Sequence, residues 1–191
     1  MPLDVATLLR ETGALLKGHF RLSSGLHSSG YVQCALLLEH PRNAKVIGEA
    51  LAAKLRAMEP AKIVAPALGG VIIGYTVAEA LDIPSVFTER KEAEMTLRRG
   101  YRIEPGEAVV IVEDVVTTGK STRETAAVVE RLGGHVAGFA SILNRSGREN
   151  PFDAPYEALL TLGLETYEET DCPLCASGVA IDSPGSRYSR S

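Results

Sequence analysis

Apolar residues follow two rhythms along this chain. One is short and continuous: residues 62–68, 108–112 and 135–143 are rich in Val, Ile, Ala and Leu and have the length of strands buried on both faces. The other returns every three or four positions. Val46, Ile47, Ala50, Leu51 and Leu55 mark one face of a helix over residues 41–58, opened by Pro41. Residues 71–81 read as a second helix. Thr125, Val128, Val129 and Leu132 mark a third, which Gly133 and Gly134 end. Helix and strand thus alternate from residue 41 to residue 143. That predicts an α/β fold: a doubly wound, mostly parallel sheet with helices on both faces.

The flanks are less regular. Val5, Leu8, Leu9, Leu15 and Leu16 predict an amphipathic helix over residues 3–16. Residues 19–22 and 31–38 predict strands, separated by turn chemistry at 23–25 and 28–30. Residues 84–88 start another strand, 156–166 read as a further one, and the tail from about 168 is rich in turns. Residues 89–107 carry Arg90, Lys91, Arg98, Arg99 and Arg102 among glutamates, with no apolar period. Such a stretch is either a lid or a solvated β-hairpin.

A chain of 191 residues, 45% hydrophobic and 23% charged, fits one soluble domain spanning residues 1–191. Its net charge of -4 carries no footprint of nucleic-acid binding. No apolar run has the length of a membrane span and no secretory leader opens the chain, so a cytoplasmic protein is expected. Three cysteines fit a reducing compartment. Two of them form Cys172-Pro-Leu-Cys175, but a structural zinc needs four ligands. The tail has no histidine near them, and His19, His27, His40 and His135 show no ligand spacing. The expectation is cysteines without function and no metal cage built from protein.

The chemistry concentrates in AVVIVEDVVTTGKST, residues 108–122. An apolar strand is followed by Glu113 and Asp114, then by hydroxyls and Gly119 ahead of a helix. Free amides at a helix start, with a glycine for close approach, suit a phosphate. A carboxylate pair needs something else on the same ligand, such as sugar hydroxyls, a cation or developing positive charge. Gly119-Lys120-Ser121 also resembles the end of a triphosphate-binding loop, but that pattern needs glycine where Asp114 stands. Gly69-Gly70, after the strand at 62–68, offers a second anion loop or else only close strand–helix packing. Asn144-Arg145-Ser146-Gly147 follows a third strand.

The stretch VVIVEDVVTTGKS, with RKE upstream and LNRSG downstream, resembles the signature of the type I phosphoribosyltransferases, and most closely of those acting on orotate. The resemblance implies transfer of a phosphoribosyl group from 5-phospho-α-D-ribose 1-diphosphate (PRPP) to orotate in pyrimidine (UMP) biosynthesis, giving orotidine 5′-monophosphate and pyrophosphate. It implies Mg²⁺ held mainly by ligand and water. Glu113, Asp114 and Lys91 would be catalytic. PRPP would be held by Arg90, Lys91, Gly69 and Gly70, and by the run Asp114, Val115, Val116, Thr117, Thr118, Gly119, Lys120, Ser121 and Thr122. Orotate would meet Thr118, Arg145 and Ser23. The segment from Phe20 to Ser28 resembles the family's N-terminal hood (about residues 1–40), beside the reading of a plain hairpin. The lid would be residues 89–107, shared across a homodimer with Lys91 working in the neighbour's site.

This chain departs from the pattern at four places. Glu113 replaces a frequent aspartate and Ser23 a lysine of some members. Glu94 and Thr96 stand where many carry lysine and histidine, and the Gly69-Gly70 loop lacks a lysine. Three alternatives stay open: a surface pair between Arg145 and Glu149 or Asp153, a different base, and a PRPP-binding regulator. The last lacks an added winged helix or a positive balance.

Overall fold

The computed structural model describes residues 3–22 and 24–184. In chain order these form α1 (Val5–Glu11), β1 (Leu15–Arg21), β2 (His27–Val32), α2 (Cys34–Leu38), α3 (Pro41–Leu55), β3 (Lys62–Pro66), α4 (Gly69–Leu81), β4 (Ser85–Lys91), β5 (Glu94–Leu97), β6 (Ala108–Val116), α5 (Lys120–Arg131), β7 (His135–Asn144), β8 (Tyr156–Thr161), β9 (Thr166–Tyr167) and α6 (Pro173–Ala176). A six-stranded sheet runs in the order β5-β4-β3-β6-β7-β8. Its strands are parallel except β5, which pairs antiparallel with β4 at the edge. A second, antiparallel sheet has the order β1-β2-β9.

The continuous apolar runs are continuous because the large sheet has two covered faces. Along β6, Val110 and Val112 enter a core with Ile47 and Leu51 of α3 and Ile73 and Val77 of α4. Val109 and Ile111 point the other way, into a core with Ala126 and Val129 of α5. All four β6 side chains are fully buried. Burying each is worth about 1.5–3 kcal/mol, which fixes β6 at the centre of the sheet.

Several boundaries move. The helix expected over residues 3–16 stops at Glu11, because Gly13 turns with φ +68. Leu15 and Leu16 are strand residues, paired with Val32 and Tyr31. The strand expected over 31–38 ends at Val32. Cys34, Leu37 and Leu38 are buried at helical spacing in α2. The run at 156–166 splits, since β8 stops at Thr161 and β9 crosses to pair with β2. Residues 85–97 are a hairpin, whose turn and second strand fall within the stretch 89–107. It turns at Glu92 and Ala93, both left-handed at φ 51 and 72, as tight hairpin turns require. Among the described residues no helix is long and apolar enough to cross a membrane.

Candidate functional site

From β3 the chain winds outward to β4; from β6 it winds the opposite way to β7 and β8. The order therefore reverses between β3 and β6, and a crevice opens at their C-terminal ends. A cleft of about 400 Å³ lies there. Glu113, Asp114 and Val115 of β6 line it, followed by Thr117, Thr118 and Gly119 and by Lys120, Ser121 and Thr122 of α5. Arg145, one residue past β7, closes one side. The small sheet supplies Arg21, Leu22, Ser24, Tyr31, Val32 and Gln33.

The acids are not in a loop, as the sequence suggests. β6 continues through Val116, with Glu113 opposite Ser141 and Val115 opposite Leu143. Glu113 is buried and Asp114 half-buried. Burial first, then the charge and hydrogen bonding of Asp114, push the Glu113 carboxyl well above the usual carboxylate range. The Asp114 amide donates to Glu113 Oε1 at 3.2 Å, and the Val115 amide donates to Asp114 Oδ1 at 2.8 Å. Gly69 and Gly70 open α4 rather than forming a loop before it. A Cβ on Gly69 would come within 2.7 Å of Asp114 Oδ1; one on Gly70 would come within 2.9 Å of the Val112 carbonyl and 3.2 Å of Glu113 Oε1. The paired glycines thus let the start of α4 lie against both acids.

Thr117, Thr118 and Gly119 turn the chain from β6 into α5. Gly119 has φ +67, and a Cβ there would reach the Phe152 ring at 2.9 Å, so both conformation and space require glycine. Arg123 braces the turn: its guanidinium donates to the Thr118 carbonyl and, at 3.3 Å, to that of Pro151. The first amides of α5 have no partner within the helix, the Lys120 amide donating instead to Thr118 Oγ1 at 3.4 Å, and such a helix start with hydroxyls beside it has the chemistry that suits an anion.

Arg145 is one of three cations that line the cleft, with Arg21 and Lys120. Its backbone amide donates to the Val116 carbonyl at 2.7 Å, pinning the end of β7 to β6. Its Nε is buried with no hydrogen-bond partner. Among the described residues no carboxylate pairs with it, so the surface pair with Glu149 or Asp153 is not formed. Burial lowers its pKa, opposed by nearby Tyr31 and Cys34. Burial, then the charge of Asp114, raises the Tyr31 phenol, and Arg145 draws it back. A buried guanidinium nitrogen without an acceptor is costly unless a ligand supplies one.

Other expected residues stand apart from the cleft. Arg90 pairs with Glu124 and donates to the Ala93 carbonyl at 2.9 Å; Lys91 is exposed beside the hairpin turn. Arg98 and Arg99 both pair with Glu89, at 3.4 and 2.9 Å. Val116 packs in the α5-side core. Ser23 lies outside the described residues. Arg21, Tyr31 and Gln33 line the cleft without having been singled out from sequence; the strand alternation of the hairpin was the available signal. The tail itself holds no histidine, but the fold brings two to its cysteines. His19 and His27, remote in sequence, meet Cys172 and Cys175 across the small sheet.

Residues 35–168 match the phosphoribosyl transferase domain family. A protein of Carboxydothermus hydrogenoformans named orotate phosphoribosyltransferase is 49% identical over 187 residues, spanning 97% of this chain and 98% of its own length. One of the same name from Thermotoga maritima is 48% identical over 183 residues, spanning 96% of this chain and 98% of its own. The crystal structure of orotate phosphoribosyltransferase from Aeropyrum pernix superposes with a TM-score of 0.68 at 24% identity, covering 83% of this chain and 94% of that one. That last likeness concerns the fold.

Proposed function

Because the chain belongs to the phosphoribosyltransferase family, we propose that its cleft transfers the phosphoribosyl group of PRPP to orotate, a step of pyrimidine biosynthesis. The observation that carries the choice of orotate is Arg145. Orotate bears a carboxylate beside the attacking ring nitrogen, and a guanidinium fork matches two carboxylate oxygens. Arg145 lies in the cleft, buried at Nε and without an ion-pair partner among the described residues. A neutral purine would leave that charge unanswered.

The remaining roles follow from position. The amides opening α5 and the hydroxyls of Thr118 and Ser121 hold the 5-phosphate. Asp114 and Glu113 face the ribose hydroxyls. As pyrophosphate leaves, the anomeric carbon gains positive character, and a carboxylate placed beforehand stabilises it. Asp114, half-buried, is ordered by the Val115 amide; Glu113, buried, is the acid whose proton is held more tightly than in the usual carboxylate. Mg²⁺ fits this donor set: Asp114 would hold it through water, and when bound it neutralises diphosphate charge. Tyr31, Leu22 and Arg21 of the hairpin wall the cleft against water.

Two further elements belong to this proposal. Leu68, Ile72 and Tyr75 are 87%, 46% and 65% exposed, and stand four and three residues apart along the start of α4. Such a stripe supports a homodimer. Lys91, outside its own cleft, then serves the neighbour's. Three free thiols support a reducing cytoplasm as the compartment. The test is pyrophosphate release from PRPP with a panel of bases. Release with orotate and not with adenine, hypoxanthine or uracil supports the proposal; release with one of those and not orotate overturns it.

A further inference from the structure

The two halves of an unannounced cluster come from opposite ends of the chain. His19 lies on β1 and His27 starts β2, beside a register shift in the ladder between Lys17 and Phe20. Cys172 caps α6 and Cys175 sits within it. The tail then returns along β1: the Asp182 amide donates to the His19 carbonyl, the Arg21 amide donates to the Asp182 carbonyl, each at 2.8 Å, and Phe20 bridges Asp182 in parallel.

Four donor atoms converge there. His19 Nε2 is 3.0 Å from His27 Nδ1, 3.5 Å from Cys172 Sγ and 3.7 Å from Cys175 Sγ; Cys175 Sγ is 3.2 Å from His27 Nδ1. All four lie within 4.8 Å of one another. A tetrahedral Zn²⁺, with bonds of about 2.0–2.1 Å to nitrogen and about 2.3 Å to sulfur, places its ligand atoms roughly 3.3–3.8 Å apart. The four closest spacings, 3.0 to 3.7 Å, overlap that range. Four side chains from remote parts of the chain, packing for bulk alone, have no reason to bring their ligand atoms together.

The tautomer agrees. His19 Nδ1 lies 2.7 Å from the Val179 carbonyl, which can only accept, so Nδ1 carries the proton and Nε2 keeps its lone pair toward the cluster. A ligating imidazole held by a backbone carbonyl through its other nitrogen is the usual outer support of a metal site. His19, His27 and Cys172 are 3%, 2% and 2% exposed, whereas Cys175 is open to solvent and gives an ion its way in.

We propose that His19, His27, Cys172 and Cys175 form a structural Zn²⁺ site that staples the C-terminal tail to the hairpin walling the cleft. Binding ionises the two thiols and releases two protons to solvent; the imidazoles bind neutral, so the filled site carries no net charge. All four positions belong to protein, as closed structural sites require. The staple acts on β1, whose Arg21 reaches from the zinc-side pocket to the cleft. The site is separate from the Mg²⁺ chemistry and does not depend on which base is bound.

The test uses the full chain, expressed with zinc, dialysed against metal-free buffer and assayed for bound metal by plasma emission. One zinc per chain is expected, with cysteine-dependent charge-transfer and tetrahedral ligand-field bands after exchange for Co²⁺. Cys175→Ser, at the exposed ligand, and His27→Gln should each bind Zn²⁺ at least tenfold more weakly in a competition titration, while His40→Gln keeps wild-type affinity. A zinc-selective chelator, without Mg²⁺ or substrates, should lower the Tm of wild type by at least about 5 °C and leave Cys175→Ser unmoved. A wild-type chain that retains less than a tenth of an equivalent of zinc and gives only octahedral cobalt spectra overturns the site. So does a chain isolated with a Cys172–Cys175 disulfide that binds no zinc after reduction.

Discussion

The backbone of Gly69 lies so near Asp114 that a Cβ there would stand 2.7 Å from the carboxylate oxygen Oδ1. Glycine is therefore required at this helix start by an acid from a different strand, not by its own dihedral angles. Gly69→Ala should leave the chain folded with a modestly lowered Tm, because the Asp114 side chain must shift away from the added methyl. It should lower kcat by about a hundredfold, the cost of a displacement of order 1 Å at a reacting centre. Steady-state kinetics beside thermal melting decide it; unchanged kcat means the carboxylate is not held where the reaction needs it.

Glu113 makes the site expensive to fold at high pH. Its folded-state pKa is raised, chiefly by burial and then by Asp114, so the folded chain holds this proton more tightly than the unfolded chain. The stability tied to that proton is complete below the unfolded carboxylate value, about pH 4.3, and is lost as pH rises through the folded one. Glu113→Gln has no such proton to lose. Without substrates or Mg²⁺, its Tm should converge with wild type toward about pH 4 and exceed it at pH 8 by a few degrees, 1 kcal/mol being about 2–4 °C in a chain this size. Equal melting across that range contradicts the assignment.

Lys91 is exposed beside a hairpin turn and absent from its own cleft. If it serves a neighbour, inactive subunits should complement. Asp114→Asn alone should retain its fold and lose about 2.7–4 kcal/mol of transition-state stabilisation, and Lys91→Ala alone should also be impaired. After verified subunit exchange, the mixture should recover activity from one intact site per mixed dimer. No recovery means that Lys91 acts within its own chain or not at all.

The central strands and the cleft were legible because β6 is buried on both faces, which demands an unbroken Val and Ile run, and because its acids and hydroxyls follow in one stretch. Arg145 was legible for the same reason, one residue past β7. The flanks were not. Leu15 and Leu16 continue a helical spacing that Gly13 has already ended, and β9 is two residues whose existence depends on β2. The Gly69–Asp114 contact joins the start of α4 to β6, and His19 meets Cys172 across 153 positions of sequence. Neither leaves a local pattern, because the partner is supplied only by the fold.

Arg145 holds the account together, since the choice of orotate rests on its guanidinium being unanswered until substrate binds. The direct measurement is kcat/KM for orotate together with KM for PRPP in Arg145→Ala. Removing a buried charged partner of the base should cost about 2–5 kcal/mol in transition-state binding, a fall of roughly 30-fold to several thousandfold in orotate efficiency, while KM for PRPP changes less than about threefold. A surface arginine would be worth about 0–1 kcal/mol. Orotate efficiency within about fivefold of wild type would contradict the reading of this cleft as an orotate site.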